Sequence, residues 1–282
     1  MKNNMKLLDG KLLSEKIKDD VKAIADSYKK TPILAIISIG EDELSKIYIN
    51  NKKKACEQVG ISLIHFNFAS TTKQSTIIKS IKDLNKDKNV NGISVELPIL
   101  DNYDEDKIIN SIDPNKDVEC LTSINQDKLL HNTSKFIPCN VLALLELFDF
   151  YNINLEDRKV LIIGNDNLVC KPFMIECIRK SVDVMVSSKD NSKLKEFTKI
   201  ADVIISAVNK KYLINNNMIK EGCVIIDMGV SKENDKVYGD VNPNVKTKAS
   251  FLTPRVGGVG PVCISMLLKN TIKSYLDMNK DN

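Results

Sequence analysis

Short apolar runs alternate with amphipathic stretches along almost the whole of this 282-residue chain, and that alternation limits the folds open to it. Ile33–Ile39 is a run of strand length closed by Gly40, and Ser62–Phe68 alternates in steps of two. Residues 92–97, 160–163, 182–186, 203–208 and 223–228 are further runs, the last ending at Gly229, and Phe251 with Leu252 starts a final short one. Between them lie stretches with apolar residues three and four apart: 12–28 (Leu13, Ile17, Val21, Ile24), 43–59, 72–85 with Thr71 or Thr72 as N-cap, 139–151, 172–180 and about 261–276. Parallel strands need a crossover, and a helix of this length is the usual one, so the pattern predicts an α/β fold with mostly parallel strands. The length suits two lobes, and a second strand series starts near Lys159.

Composition narrows the function classes. The net charge is only +4, and Arg158, Arg179 and Arg255 are the only arginines. No concentrated basic patch of the nucleic-acid-binding kind is present. The first 18 residues lack the apolar core of a signal peptide, and no apolar run reaches the ~18 residues of a membrane span. Neither a nucleic-acid nor a membrane partner is expected. Seven scattered cysteines with no CxxC pair suit free thiols in a reducing cytoplasm. With only His65 and His131, a histidine-rich metal site is not expected.

Three segments carry chemistry. In the helix 43–59, Tyr48 and Lys52 are four residues apart and share a face. Leu44, Ile47, Tyr48, Asn51 and Ala55 make the expected buried stripe, with Lys52 at its edge. That lysine either belongs to a solvated basic face or lays its stem on the stripe and turns its amine inward. Gly92–Pro98 reads as a buried strand ending in Glu96, Leu97 and Pro98; Asp113–Cys120 reads as a loop dense in charge. Later, Gly164-Asn-Asp-Asn-Leu-Val-Cys-Lys-Pro172 joins a strand to a helix, where a Rossmann-type fold places its phosphate turn. The full glycine fingerprint is absent, so a plain turn stays open. Ser187, Ser188 and Lys189 end the next strand, as a 2′-phosphate seat or a surface turn. Gly257-Gly-Val-Gly260-Pro261 is a ligand-approaching loop or an ordinary bend.

In this order and spacing the segments resemble the bifunctional methylenetetrahydrofolate dehydrogenase/methenyltetrahydrofolate cyclohydrolase family, over about residues 5–278. The family's S-x-x-Y-V-x-x-K-x-K pattern is met by Ser45, Tyr48, Lys52 and Lys54, its GxxVQLP strand by Gly92–Pro98, its KDVDG loop by Lys116–Cys120, and its TPVPGGVGP run by Thr253–Pro261. The resemblance implies a folate-binding lobe (1–140 plus 261–282, the last helix returning to it) and a Rossmann-type nicotinamide-binding lobe (141–260). It implies tetrahydrofolate derivatives as substrates, NADP as cofactor with NAD as the alternative, and a homodimer through the second lobe. Lys52, Tyr48, Glu96 and Glu119 are then the expected catalytic residues. Tyr48, Lys52, Val95, Leu97, Pro98, Glu119, Gly258 and Pro261 are expected against the substrate. Gly164, Asn165, Asp166, Val169, Ser187, Ser188, Lys189 and Gly229 are expected at the cofactor, and no metal is expected.

Several positions depart from the family pattern. Its glutamine is Glu96, the aspartate of KDVDG is Glu119, and the glycine closing that loop is Cys120. The family's GRSxxVGxP turn has Asn165 for arginine, Asp166 for serine and Cys170 for glycine. A carboxylate at Glu96 favours the ammonium form of Lys52 and opposes its use as a neutral base. Hydrolysis is therefore expected to suffer more than oxidation, and preference for NADP over NAD to weaken. A catalytically weak folate-binding or dimerising paralogue is the alternative reading; an unrelated Rossmann dehydrogenase would have no reason to carry all the motifs.

Overall fold

The computed structural model describes residues 5–40, 43–234 and 236–280, without the side chain of Leu44. In chain order the elements are β1 (Lys6–Leu7), α1 (Gly10–Asp26), β2 (Ile33–Ile39), α2 (Glu43–Val59), β3 (Ser62–Phe68), α3 (Gln74–Lys86), β4 (Val90–Val95), α4 (Glu105–Ile109), α5 (Ser123–Leu130) and α6 (Cys139–Phe150). There follow β5 (Val160–Ile163), α7 (Cys170–Arg179), β6 (Val184–Ser187), α8 (Leu194–Ile200), β7 (Val203–Ser206), β8 (Val224–Asp227), β9 (Ser231–Glu233), β10 (Lys236–Tyr238), β11 (Phe251–Leu252) and α9 (Val259–Met278). Two compact units result. The first takes Ser14–Cys139 and the chain from Cys263 onward; the second takes Asn140–Val262 and the chain up to Leu13.

The first unit is built on a parallel sheet in the order β3-β2-β4. The central strand β2 and its neighbour β4 are buried nearly throughout, whereas the edge strand β3 alternates between covered and open positions. That difference follows from β2 and β4 being covered on both faces. Ala35, Ile37, Ile77, Ile81, Val90 and Ile93 form the centre of its core. The last helix returns to this unit from Cys263, as expected. Asn270 Nδ2 donates to Val118 O (2.8 Å) and Ile137 O (3.1 Å), Ser274 Oγ donates to Asn115 O (3.0 Å), and Tyr275 meets Tyr28 edge-on.

The second unit carries a six-stranded parallel sheet, β1-β11-β8-β7-β5-β6. From β5 the chain goes to β6 on one side and then to β7 on the other, so the strand order reverses between β5 and β7. In open α/β sheets ligands bind outside the strand C-termini at such a reversal. The lobe boundary expected at residue 140 misses one feature. β1 pairs with β11, which draws the first residues into the second unit. A two-residue strand has no periodicity to show its partner.

Smaller differences concern ends. The third helix starts at Gln74 and is capped by Lys73 without a side-chain bond, so neither Thr71 nor Thr72 caps it. The strand before Glu96 begins at Val90 and stops at Val95, which leaves Glu96 on the following turn. No helix among the described residues is long and apolar enough to cross a membrane.

Candidate active site and dinucleotide turn

The first site is built beside β4. Ile93 N donates to Lys116 O (2.8 Å), and Ile93 bridges Asp117 in parallel, so the stretch 116–118 runs along the strand like a further short one. Two buried charges hold that stretch. Lys116 Nζ donates to Leu84 O (2.9 Å) and Asp87 O (2.6 Å). Asp117 accepts from Leu121 N, Thr122 N, Thr122 Oγ1 and Asn125 Nδ2 at 2.8–3.0 Å, which ties the loop to the start of α5. Burial lowers the pKa of Lys116 and raises that of Asp117. The charge-dense loop is therefore largely an anchor, and its product is the placement of Glu119 next to β4.

Lys52 arrives from α2. The buried positions of that helix are Ile49, Lys52, Ala55, Cys56 and Val59, at three- and four-residue spacing. This corrects the expected stripe: Ile47 and Tyr48 are 57% and 43% exposed, Asn51 is exposed, and the side chain of Leu44 lies outside the described residues. Lys52 sits within the buried face, not at its edge. Its Nζ donates to Glu96 Oε1 (2.5 Å), Glu119 Oε1 (3.2 Å) and Ser94 Oγ (3.4 Å), which uses all three N–H bonds. Ser94 Oγ in turn donates to Glu119 Oε1 (2.5 Å). Ser94 was not foreseen; its position two residues before Glu96 in the apolar run 92–97 was the available signal.

Burial by itself would pull the Lys52 amine down, but the charges of Glu119 and Glu96 outweigh it and hold the ammonium above the usual lysine range. Burial, foremost, keeps the Glu96 carboxyl above the usual range despite Lys52, and Glu119 adds to the rise. Tyr48 is electrostatically coupled to the same cluster; desolvation of its hydroxyl, then Cys263, pushes it up to about 12, so it stays a neutral phenol. Cys139 and Cys263 also lie within electrostatic reach of Lys52 and Glu119, with burial raising both thiols. Cys120, where the family pattern has glycine, has φ 60°, a left-handed conformation that side chains with a Cβ disfavour. Val95 is buried in β4, and Leu97 and the exposed Pro98 follow Glu96.

In the second unit the expected cofactor residues share one edge, because parallel strands end together. Gly164, Asn165, Asp166 and Val169 follow β5; Ser187 ends β6, with Ser188 and Lys189 exposed beyond it; Gly229 follows β8. Gly164 has φ 133°, and Gly164 N donates to Ser187 O (3.0 Å). A Cβ on Gly164 would lie 2.6 Å from Cys170 Sγ and 3.1 Å from Ala207 O, so the turns after β5 and β7 pack closely at the strand reversal. The parallel sheet, the glycine turn and the start of α7 suit a dinucleotide. The phosphate turn itself fits less well: Asp166 Oδ1 already accepts from Leu168 N (2.9 Å) and Val169 N (2.7 Å).

An aspartate pair behind this edge, Asp240 buried and Asp227 half-buried, also escaped the sequence reading. Asp240 accepts from Ser206 Oγ (2.7 Å), Val208 N (2.9 Å) and Lys210 N (2.7 Å). Asp227 accepts from Gly229 N, Asp240 N and Val241 N at 3.0–3.1 Å, and burial pushes its carboxyl up to about 6. A Cβ on Gly229 would fall 2.0 Å from Asp240 Oδ1, and one on Gly239 2.0 Å from Asp227 Oδ2. Gly229 thus has an internal reason to be glycine.

The same holds for the GGVGP loop. Gly257 O accepts from Gly10 N (2.8 Å) and Lys11 N (3.2 Å). A Cβ on Gly258 would lie 2.4 Å from Pro254 O, and one on Gly10 1.7 Å from Gly258 O. Gly258 is buried by this packing, and Pro261 is half-buried in the first turns of α9. Gly258 and Pro261 belong to the second unit and the Lys52 cluster to the first.

Sequence comparison matches residues 8–119 to the profile described as tetrahydrofolate dehydrogenase/cyclohydrolase, catalytic domain, and residues 138–279 to that family's NAD(P)-binding domain. The chain is 38% identical to the bifunctional protein FolD of Campylobacter hominis over 275 residues, covering 96% of this chain and 97% of the relative. It is also 38% identical to the FolD of Mycoplasma mycoides over 285 residues, covering 99% of each. Among solved structures, the bifunctional FolD of Campylobacter jejuni superposes with a TM-score of 0.93 at 36% identity, covering 97% of this chain and 99% of that one. The Trypanosoma brucei FolD, solved with NADP and an inhibitor, gives 0.92 at 25% identity, covering 97% and 98%.

Proposed function

Since the chain belongs to the tetrahydrofolate dehydrogenase/cyclohydrolase family, we propose that it oxidises 5,10-methylenetetrahydrofolate with NADP, or with NAD in its place, and hydrolyses the methenyl product to 10-formyltetrahydrofolate more slowly than it forms it. The observation that carries this order of rates is the Lys52 ammonium held by two carboxylates, at 2.5 and 3.2 Å.

The first unit binds the folate and the second the nicotinamide. Bound nicotinamide supplies a hydride acceptor, so oxidation asks the protein mainly for alignment. Lys52 and the neutral Tyr48 phenol orient the folate, with Glu119 accepting from its pterin and Val95, Leu97 and Pro98 walling it. Hydrolysis asks for more: a proton must leave the attacking water. The doubly paired amine is a poor acceptor, because it gives up its own proton only well above neutral pH. Gly164, Asn165, Val169, Ser187, Ser188, Lys189 and Gly229 are the residues assigned to hold the dinucleotide. Asn165 offers a 2′-phosphate no cation, which supports use of either nicotinamide. By family likeness we assign a homodimer through the second unit and a cytoplasmic location.

The test is a spectrophotometric assay with 5,10-methylenetetrahydrofolate and each nicotinamide in turn, followed by methenyltetrahydrofolate alone. Turnover with both nicotinamides and accumulation of the methenyl form are expected. Absence of turnover with either would overturn the function, and hydrolysis as fast as oxidation would overturn the order of rates.

A further inference from the structure

The turn after β5 contains its own anion. Asp166 Oδ1 occupies Leu168 N and Val169 N, the amides that lead into α7. Those are the donors that a strand–turn–helix offers to a phosphate. The other oxygen, Oδ2, is buried and meets no N–H or O–H donor, and only the weakly donating Cys170 thiol lies beside the carboxylate. A group placed only to cap a helix has no need of a second buried acceptor matched so weakly. The hollow that Gly164 leaves is taken as well, since Cys170 Sγ sits 2.6 Å from where its Cβ would be. Both features by which such a turn grips a pyrophosphate are thus filled by the chain's own atoms.

We infer that Asp166 is an affinity-setting residue that weakens the hold of this turn on the pyrophosphate shared by NAD and NADP, lowering affinity for both alike. This rests on reading the second unit as the nicotinamide lobe. It is distinct from the role of Asn165, which bears only on the 2′-phosphate. A carboxylate beside a pyrophosphate repels it through like charge, and the repulsion does not depend on the ribose substituent. The bond pattern also limits what a substitution removes. Asp166→Asn keeps an oxygen for the two amides and takes away only the charge; Asp166→Ser keeps a shorter acceptor and also empties the Oδ2 position.

The experiment is direct titration of wild-type, D166N and D166S protein with NADH and with NADPH, without folate, following cofactor fluorescence, with a thermal melt of each to show that it is folded. Both variants should bind NADH and NADPH about tenfold more tightly than wild type, by the same factor for the two cofactors. Tightening confined to NADPH would overturn the inference, because the charge would then act on the 2′-phosphate. Wild-type binding of both cofactors with no change in either variant would also overturn it, and would leave the nicotinamide lobe intact. Failure of all three folded proteins to bind either cofactor would remove that lobe's assignment and the inference together.

Discussion

Lys52 lies closer to Glu96, at 2.5 Å, than to Glu119, at 3.2 Å, and the nearer carboxylate has the more buried side chain, 9% exposed against 20%. Glu119 has a second donor in Ser94, whereas among the described residues Lys52 is the only side-chain donor to Glu96. The amine is therefore the main compensation for a carboxylate held in a poorly solvated place, and the two groups set each other's proton affinity.

Replacing Glu96 by glutamine removes the nearer charge and keeps the shape. The Lys52 amine should then release its proton more readily, by about one pKa unit. Methenyltetrahydrofolate hydrolysis should rise about tenfold at neutral pH, with oxidation within about twofold of wild type. The decay of methenyl absorbance measures the first and nicotinamide reduction the second. An unchanged hydrolysis rate would mean that Glu96 does not restrain the lysine.

Lys52→Met leaves two partly buried carboxyls without their shared cation. At pH 7 the folded state should lose about 3 kcal/mol. The pH dependence has a definite sign. The folded-state pKa of Glu96 is already raised, and removing Lys52 takes away what lowers it. A raised carboxyl favours the folded state below its unfolded value, and that contribution is lost as pH rises through the folded one. The deficit of the variant should accordingly shrink between pH 7 and pH 5. Denaturant melts across this range test it; a deficit independent of pH would contradict it.

Gly10→Ala and Gly222→Ala separate space from backbone conformation. A Cβ on Gly10 would sit 1.7 Å from Gly258 O, a carbonyl held in the loop before α9, and the variant should lose about 3 kcal/mol or more. Gly222 has φ 76° with nothing within 4 Å of a Cβ, so the cost there should be only the left-handed conformation, about 1 kcal/mol. Equal costs in thermal melts would refute the packing argument.

Asp240→Asn tests the aspartate pair. Three donors converge on one fully buried carboxylate, and an amide cannot accept at both positions. Leaving one donor unmatched should cost about 2 kcal/mol. The loss should be local: hydrogen exchange should speed up at the amides of Val208 and Lys210, with those of β5 unaffected. Uniform loss of protection would instead indicate global weakening.

Most of the fold's framework was open to reading in the primary structure. The runs Ile33–Ile39 and Ser62–Phe68 and the helix Glu43–Val59 recur at the same bounds in the folded chain, because side-chain periodicity is a property of near neighbours. The ordered motifs pointed to the family for the same reason, and Lys52 with Glu96 could be named from their segments. Rotation of the second helix was harder. Ile47 and Tyr48 are apolar yet exposed, and Lys52 is charged yet buried, so the hydrophobic stripe misplaced the buried face.

What tertiary structure alone decided are relations between segments distant along the chain. The alignment of 116–118 with β4 puts Glu119 beside Lys52, β1 finds β11, and Asp227 and Asp240 lock against each other's glycines. Even Asp166, only two and three residues from the amides it caps, shows its buried, weakly matched oxygen only once the turn is folded. Local sequence determines which elements form, since it sets backbone preference and periodicity. Which charges are buried, and against what, depends on close packing among residues that no local pattern connects.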